Sequence, residues 1–351
     1  MPAAIDPEAL LREMLGTPSL SGQEQAISAL LVRRMSEIPG MRAWRDEAGN
    51  AVGVLGEGPE DIVLLGHMDT VPGDIPVRRE GDLLYGRGAV DAKGPLATFI
   101  SAVAQAGPQP GKRIVIIGAV EEEAPSSAGA RHIAGRYRPA AAIIGEPSDW
   151  DRVTLGYKGS LVAQYTVARA GEHSSGPNAN AAEKAVDFWI RARDHAARWN
   201  GGQPRSFATL DPALRAIWSE DDGLFNHATA LLSYRVPLEC SIAELKGDMQ
   251  TWSDEGQLTI VSAEEPFKAE RNTALVRAFL EAIRQEDGKP RFALKHGTSD
   301  MNIVGPAWGC PMVAYGPGDS NLDHTPHEHI SLAEYRRAIA VLSRVLVTLA
   351  Q

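Results

Sequence analysis

Through its first half the chain alternates short apolar runs with amphipathic stretches of helical period. The spacing predicts helices near residues 7–15, 23–37 and 93–106, and strands near 51–55, 62–66, 113–120 and 140–145. The runs IVLLGH and RIVIIGAV are almost free of polar interruption, as strands are when helices cover both faces of a sheet. The expected fold is α/β, a mixed, largely parallel-centred sheet flanked by helices. Ligands of such sheets gather at the carboxyl ends of the strands, and GHMD, EEE and GEPS each follow a strand-like run directly.

The texture then changes. LVAQYTVARA, a helical stretch from Ala179 to Trp199, the alternating ATALLSYRV, a helix near 242–252 and QLTIVSA predict a compact α+β insert. A helix near 272–286, a strand near 291–295, the apolar GCPMVAYG and a closing helix from Leu332 to Leu349 resume the first pattern. The expected organisation is a catalytic domain in two parts, 1–157 and 268–351, interrupted by 158–267. No internal repeat or low-complexity run appears.

Composition narrows the possibilities. With 351 residues, 44% of them apolar, the chain can bury a large core, and two domains are the natural expectation. A formal charge of -10 leaves no basic footprint for nucleic acid. The start, MPAAIDPEALLREML, reads as a helix capped by Asp6 with Pro7 at its first position and lacks the features of a signal peptide. The longest apolar runs, such as Ile114 to Val120, fall well short of the roughly 20 residues that span a bilayer. A cytoplasmic protein without membrane or nucleic-acid partner is expected. Cys240 and Cys310 stand far apart and outside any CxxC spacing, so they read as two buried, reduced thiols.

The candidate chemistry is a set of short polar clusters. In LLGHMDTVPG, His67 and Asp69 stand two residues apart past a strand, so Asp69 can orient the imidazole. Alone, such a pair is more often an ordinary turn with a capping Asp. Asp91 sits among glycines in GRGAVDAKG, where it is either an N-cap or a carboxylate shared by two cations about 3.5–4 Å apart. Glu121, Glu122 and Glu123 crowd one strand end, which repulsion disfavours unless a cation, solvent or a proton offsets it. Glu146 ends another strand, and DHTPHEHI supplies His324, His327 and His329. His and carboxylate donors without thiolate suit Zn²⁺, Co²⁺ or Mn²⁺ in a hydrolytic pair.

In order, GHMDTVP, GRGAVDAKG, EEE-x5-G, GEPS, GTSD and GPG with H-x4-HI resemble the zinc aminoacylase and carboxypeptidase superfamily. That superfamily includes acetylornithine deacetylase and succinyl-diaminopimelate desuccinylase. The resemblance covers nearly the whole chain. It implies a catalytic domain with two zinc ions, cobalt being an alternative, and an inserted lid that forms a homodimer. It also implies His67 on one ion, His324 on the other, Asp91 as the bridge, and Glu123 and Glu146 completing the shells. Glu122 takes the place of the general base, and Glu121 precedes it. The triplet leaves this register open by one position. His324 is preferred over His327 and His329 because Glu328 and Ile330 follow it at the family's spacing, which leaves the other two at the surface.

Within the superfamily the short chain, EEEAPSSAGA and GPGDSNLDHTPHEH are most similar to the carrier-protein hydrolases of lysine and ornithine biosynthesis. The resemblance implies release of lysine or ornithine from the glutamyl side chain of a small acidic carrier protein. It further implies that the lid His173 meets the reacting carbonyl and that Arg235 takes the α-carboxylate, with Gly297 and Thr298 lining the same pocket. Asn226 is a further lid candidate whose spacing to Arg235 is shorter than in the desuccinylases. An acidic carrier would require a basic patch, for which Arg78 with Arg79, or Arg131, Arg136 and Arg138, are the candidates. The alternatives are an N-acetylornithine or N-acyl amino acid deacetylase, a small-dipeptide carboxypeptidase, or a non-catalytic metal-binding interaction module. Retention of Glu122 beside five ligands argues against the last.

Overall fold

The structure is a computed structural model that describes residues 5–172 and 177–350. By its internal packing the chain divides into two units: one holds the residues up to Gly156, Ala269–Ala293 and those from Ser299 on, and the other holds Tyr157–Lys268 and Leu294–Thr298.

In the first unit the strands Lys112–Ala119, Glu60–His67, Ala141–Gly145 and Met312–Ala314 lie side by side and parallel. Antiparallel neighbours flank them: Ala51–Leu55 and Arg42–Arg45 on one side, Arg152–Tyr157 on the other. The expected parallel centre is present. Its strands are buried along almost their whole length, which is why Ile62–Leu65 and Ile114–Ile117 read as unbroken apolar runs. Helices Pro7–Leu15, Gln25–Ser36, Lys93–Ala106, Ala274–Gln285 and Leu332–Thr348 occupy the predicted stretches. Asp6 caps the first, its Oδ1 accepting from the Glu8 and Ala9 amides, with proline at N1. Helix Lys93–Ala106 starts under very close backbone approach, since a Cβ at Gly94 would stand 2.3 Å from the Ala89 carbonyl oxygen. A small sheet joins Arg78–Glu80, Leu83–Tyr85 and His329–Ser331.

The second unit is a four-stranded antiparallel sheet ordered Asp211–Asp221, Phe225–Val236, Gly159–Ala170, Gln257–Glu264. Alternate residues of the two inner strands, among them Leu161, Ala163, Tyr165, Leu232 and Tyr234, pack with helices Ala181–Asn200 and Ile242–Trp252. Tyr165 stacks on Phe188 at 4.3 Å between ring centroids. The long helix starts two residues later than its apolar pattern suggests, because Asn180 and Glu183 form a reciprocal capping box. Cys240 is buried as expected, whereas Cys310 is only half-buried; both are free thiols. No helix among the described residues is long and apolar enough to cross a membrane.

Candidate metal centre

Parallel register brings the polar clusters to one edge. His67 pairs with Ala119 and Gly66 with both Gly118 and Gly145, so the three strands end together. His67, the Glu121–Glu123 turn and Glu146 therefore leave the sheet side by side, where the open ends of parallel strands make the usual ligand crevice.

Asp91 lies at the middle of the group. Its Oδ1 is 3.1 Å from His67 Nε2 and its Oδ2 is 3.0 Å from His324 Nε2. Glu123 Oε1 stands 2.8 Å from the same His324 nitrogen. Donor atoms of His67, Asp91 and Glu123 all fall within 4.8 Å of one another. Glu122 Oε2 is 4.0 Å from His67 Nε2. Glu121 turns away and accepts from the Ser126 hydroxyl. Glu146 is buried and close enough to Asp91 for their charges to interact.

Three backbone amides fix the acidic turn. Glu121 N–H donates to Glu24 Oε1 at 3.0 Å, Glu122 N–H to Asp69 Oδ1 at 3.1 Å, and Glu123 N–H to Asp69 Oδ2 at 3.0 Å. Asp69, fully buried, also accepts from the Ser21 hydroxyl and lies 3.4 Å from His67 Nδ1. Asp69 thus orients the imidazole, with its backbone carbonyl oxygen 3.1 Å from His67 Nδ1 and its carboxylate just beyond, and its carboxylate anchors the turn bearing Glu122 and Glu123. The sequence suggested the first of these contacts; nothing in it signals the second, or the part played by Glu24.

The electrostatics of these side chains among themselves favour added positive charge. Burial raises the Glu122 and Glu146 carboxyls well above the ordinary range, helped by their acidic neighbours including Asp300, and raises Glu123. Asp91 goes the other way: burial works to raise it, but the hydrogen bonds from His324 and His67 outweigh that and lower it. Burial works to lower His67, yet Asp69 and Asp91 hold it well above the usual imidazole value. Asp91 and Glu123 lift His324 to about 10. Two imidazoles and several carboxylates with no thiolate, around one carboxylate that offers an oxygen to each imidazole, fit divalent metal binding.

A model of peptidase family M20/M25/M40 matches residues 63–348. The chain belongs to peptidase family M20/M25/M40. As a member, it is a metal-dependent hydrolase of an amide carbon–nitrogen bond. It is 47% identical, over 97% of its length and 96% of the relative's, to a [LysW]-lysine hydrolase of Deinococcus radiodurans. A [LysW]-lysine/[LysW]-ornithine hydrolase of Saccharolobus islandicus is 32% identical over 80% of this chain and 78% of that one. Among solved structures the fold is similar to an M20 family metallo-carboxypeptidase of Sulfolobus solfataricus, with a TM-score of 0.79, 17% identity and 99% of each chain covered. It is also similar to the dipeptidase Dug1p of Saccharomyces cerevisiae, with a TM-score of 0.77 and 13% identity over 98% of this chain and 95% of that one.

For the remaining candidates of this M20 chain the picture is mixed. Arg235 donates to Thr298 Oγ1 at 3.4 Å, with Gly297 adjoining. Asn226 lies nine residues along the same strand, about 30 Å away at the usual strand rise, and donates to Asp221, so the structure does not bring it to Arg235. His173 lies outside the described residues. His327 is exposed, while His329 is half-buried with its ring 4.8 Å from that of Tyr85.

Proposed function

We propose that this enzyme is a dinuclear zinc amidohydrolase, able also to use cobalt, that releases lysine or ornithine from the glutamyl side chain of a small amino-group carrier protein. The observation that carries the chemistry is Asp91, which faces His67 with one oxygen and His324 with the other. What supports the substrate is the 47% identity, across nearly both full lengths, to a protein named for [LysW]-lysine hydrolysis.

In this reading His67 and Asp91 hold one ion and His324, Asp91 and Glu123 the other, with Glu146 completing a shell. When bound, the ions supply Lewis acidity that acidifies water and polarises the scissile carbonyl. Glu122, half-buried and held by its own backbone amide on Asp69, takes a proton from the attacking water and delivers it to the leaving amine as the carbon–nitrogen bond breaks. Asp69 keeps the His67 tautomer that presents Nε2 to the ion. Arg235 is assigned to the α-carboxylate of the amino acid released, with Thr298 and Gly297 beside it, because a planar guanidinium matches a carboxylate. His173 is assigned to the charge that develops on the carbonyl oxygen. The enzyme works as a cytoplasmic homodimer joined through the second unit.

Carrier docking uses positive charge outside the metal centre. Arg78 is ion-paired with Glu80, and Arg79 with Glu8. Arg136 is paired with Glu47, while Arg131 and Arg138 beside it donate to backbone carbonyls. Both clusters are candidates for that surface.

The test is hydrolysis by zinc- or cobalt-loaded protein of carrier-linked lysine and, in parallel, of N-acetylornithine, each with a chelated control. Selective release from the carrier is expected; preference for the acetylated amino acid would make this a deacetylase. Charge reversal at Arg131 and Arg138 should weaken carrier turnover and leave small-substrate turnover intact.

A further inference from the structure

Glu328 is almost completely buried, 1% exposed, four residues beyond His324, and every described polar contact it makes ties two loops of the metal centre together. Its Oε1 accepts from the backbone amides of Val90 at 2.9 Å and Asp91 at 3.1 Å. Its Oε2 accepts from Arg87 Nη1 at 2.9 Å. Arg87 in turn donates to the carbonyls of Thr325 and Gly73, at 3.3 and 2.8 Å. The backbone reinforces the tie. Glu328 O accepts from Gly86 N at 3.4 Å, and the strand that follows pairs with Leu83–Tyr85 in the register His329 to Tyr85.

We propose that Glu328 is a positioning residue of the metal centre, which holds Asp91 midway between His67 and His324 through the Asp91 amide. The inference rests on the reading of Asp91 as the ligand shared by both ions. Fixing the amide of a residue fixes the direction of its Cα–Cβ bond, and hence of the carboxylate. Asp91 must meet His67, which is anchored in the sheet, and His324, which is carried by a loop, so both the 86–91 loop and the 324–328 loop need one common reference. Glu328 supplies it. A further buried carboxylate beside an acidic cluster is electrostatically unfavourable in itself, and the Arg87 ion pair offsets that. Outer residues that orient metal ligands in this way commonly change metal affinity by about 10–100-fold when replaced.

The test titrates metal-free full-length protein with Co²⁺ against a competing chelator, recording the visible ligand-field bands, for wild type, Glu328→Gln, Glu328→Ala and Arg87→Ala. Thermal melts by circular dichroism accompany each. Wild type is expected to take two ions per chain. Glu328→Gln and Arg87→Ala are expected to melt cooperatively, to bind the weaker ion about 10–100-fold less tightly and to show shifted bands. Cooperative melting of both with wild-type affinities and unshifted bands would overturn the proposal and reduce Glu328 to a packing role. If Glu328→Ala fails to fold, these two variants decide. Fewer than two ions on the wild type would instead overturn the dinuclear reading beneath it.

Discussion

His67 and His324 present the same nitrogen to the same carboxylate from unlike parts of the fold. His67 ends a buried inner strand, its side chain 1% exposed and its other nitrogen turned to Asp69. His324 sits in a loop at φ +60, a left-handed conformation that non-glycine residues adopt at a cost of about 1–3 kcal/mol, with its side chain 50% exposed. One side of the centre is built into the sheet; the other is hung on a loop and clamped through Glu328 and Arg87. The comparison teaches where precision comes from. The strand fixes the backbone of His67 and leaves its ring to be oriented by Asp69, whereas the loop that carries His324 is also held by hydrogen bonds to its own backbone.

Glu122→Gln removes the proposed proton carrier and leaves both sides of the centre standing. The expected fall in kcat is about 10²–10⁴-fold with two ions still bound, and an unchanged rate would remove Glu122 from the mechanism. Next in size, His324→Ala and His67→Ala separate the two sides. His324→Ala should retain about one ion per chain and lose at least about 100-fold in affinity for the other, whereas His67→Ala should weaken binding and lower the melting temperature as well. Equal behaviour of the two would break the contrast. Asp69→Ala takes the shared anchor from His67, Glu122 and Glu123, and should cost about 3–5 kcal/mol in urea unfolding.

Arg235→Ala probes the second unit. It should raise KM for the carrier-linked amino acid by about 10–100-fold, the loss of hydrogen bonds to a charged group, with metal content unchanged. The smallest effect is in pH. His324, Glu122 and Glu146 all hold protons more tightly folded than unfolded. Their contribution to stability is full below their ordinary values, 6.5 for His324 and 4.5 for the carboxyls, and is lost as pH rises through the folded ones, about 10 for His324. Chelator-stripped protein should therefore melt lower at pH 9 than at pH 6, and zinc should shrink the difference. The lowered Asp69 and Asp91 work oppositely, but only below the ordinary aspartate range.

How much of this was legible beforehand follows the same contrast. Strands buried on both faces announce themselves as apolar runs, so the sheet and the residues at its ends could be read directly. Strand Asp211–Asp221 could not: it lies at a sheet edge, and its outer half is exposed on both faces, leaving no alternation to detect. Helix Asp300–Trp308 was hidden by Pro306 in its last turns. In the centre, His67 and the acids were visible as short motifs, but choosing among three histidines in DHTPHEH and three glutamates in EEE needed the family's spacing. The bonds by which Glu24, Asp69 and Glu328 hold the backbone amides of the Glu121–Glu123 turn and of Val90 join residues 53 to 238 positions apart, and no local pattern records them.

The central claim is that Asp91 is shared by two ions, one seated on the sheet and one on the loop. The most direct test is a crystal structure of the zinc-loaded protein with anomalous data at the zinc edge. The account predicts two peaks about 3.5–4 Å apart, both against Asp91, one beside His67 and the other beside His324 and Glu123. A single peak, or a pair that leaves Asp91 outside both shells, would contradict it.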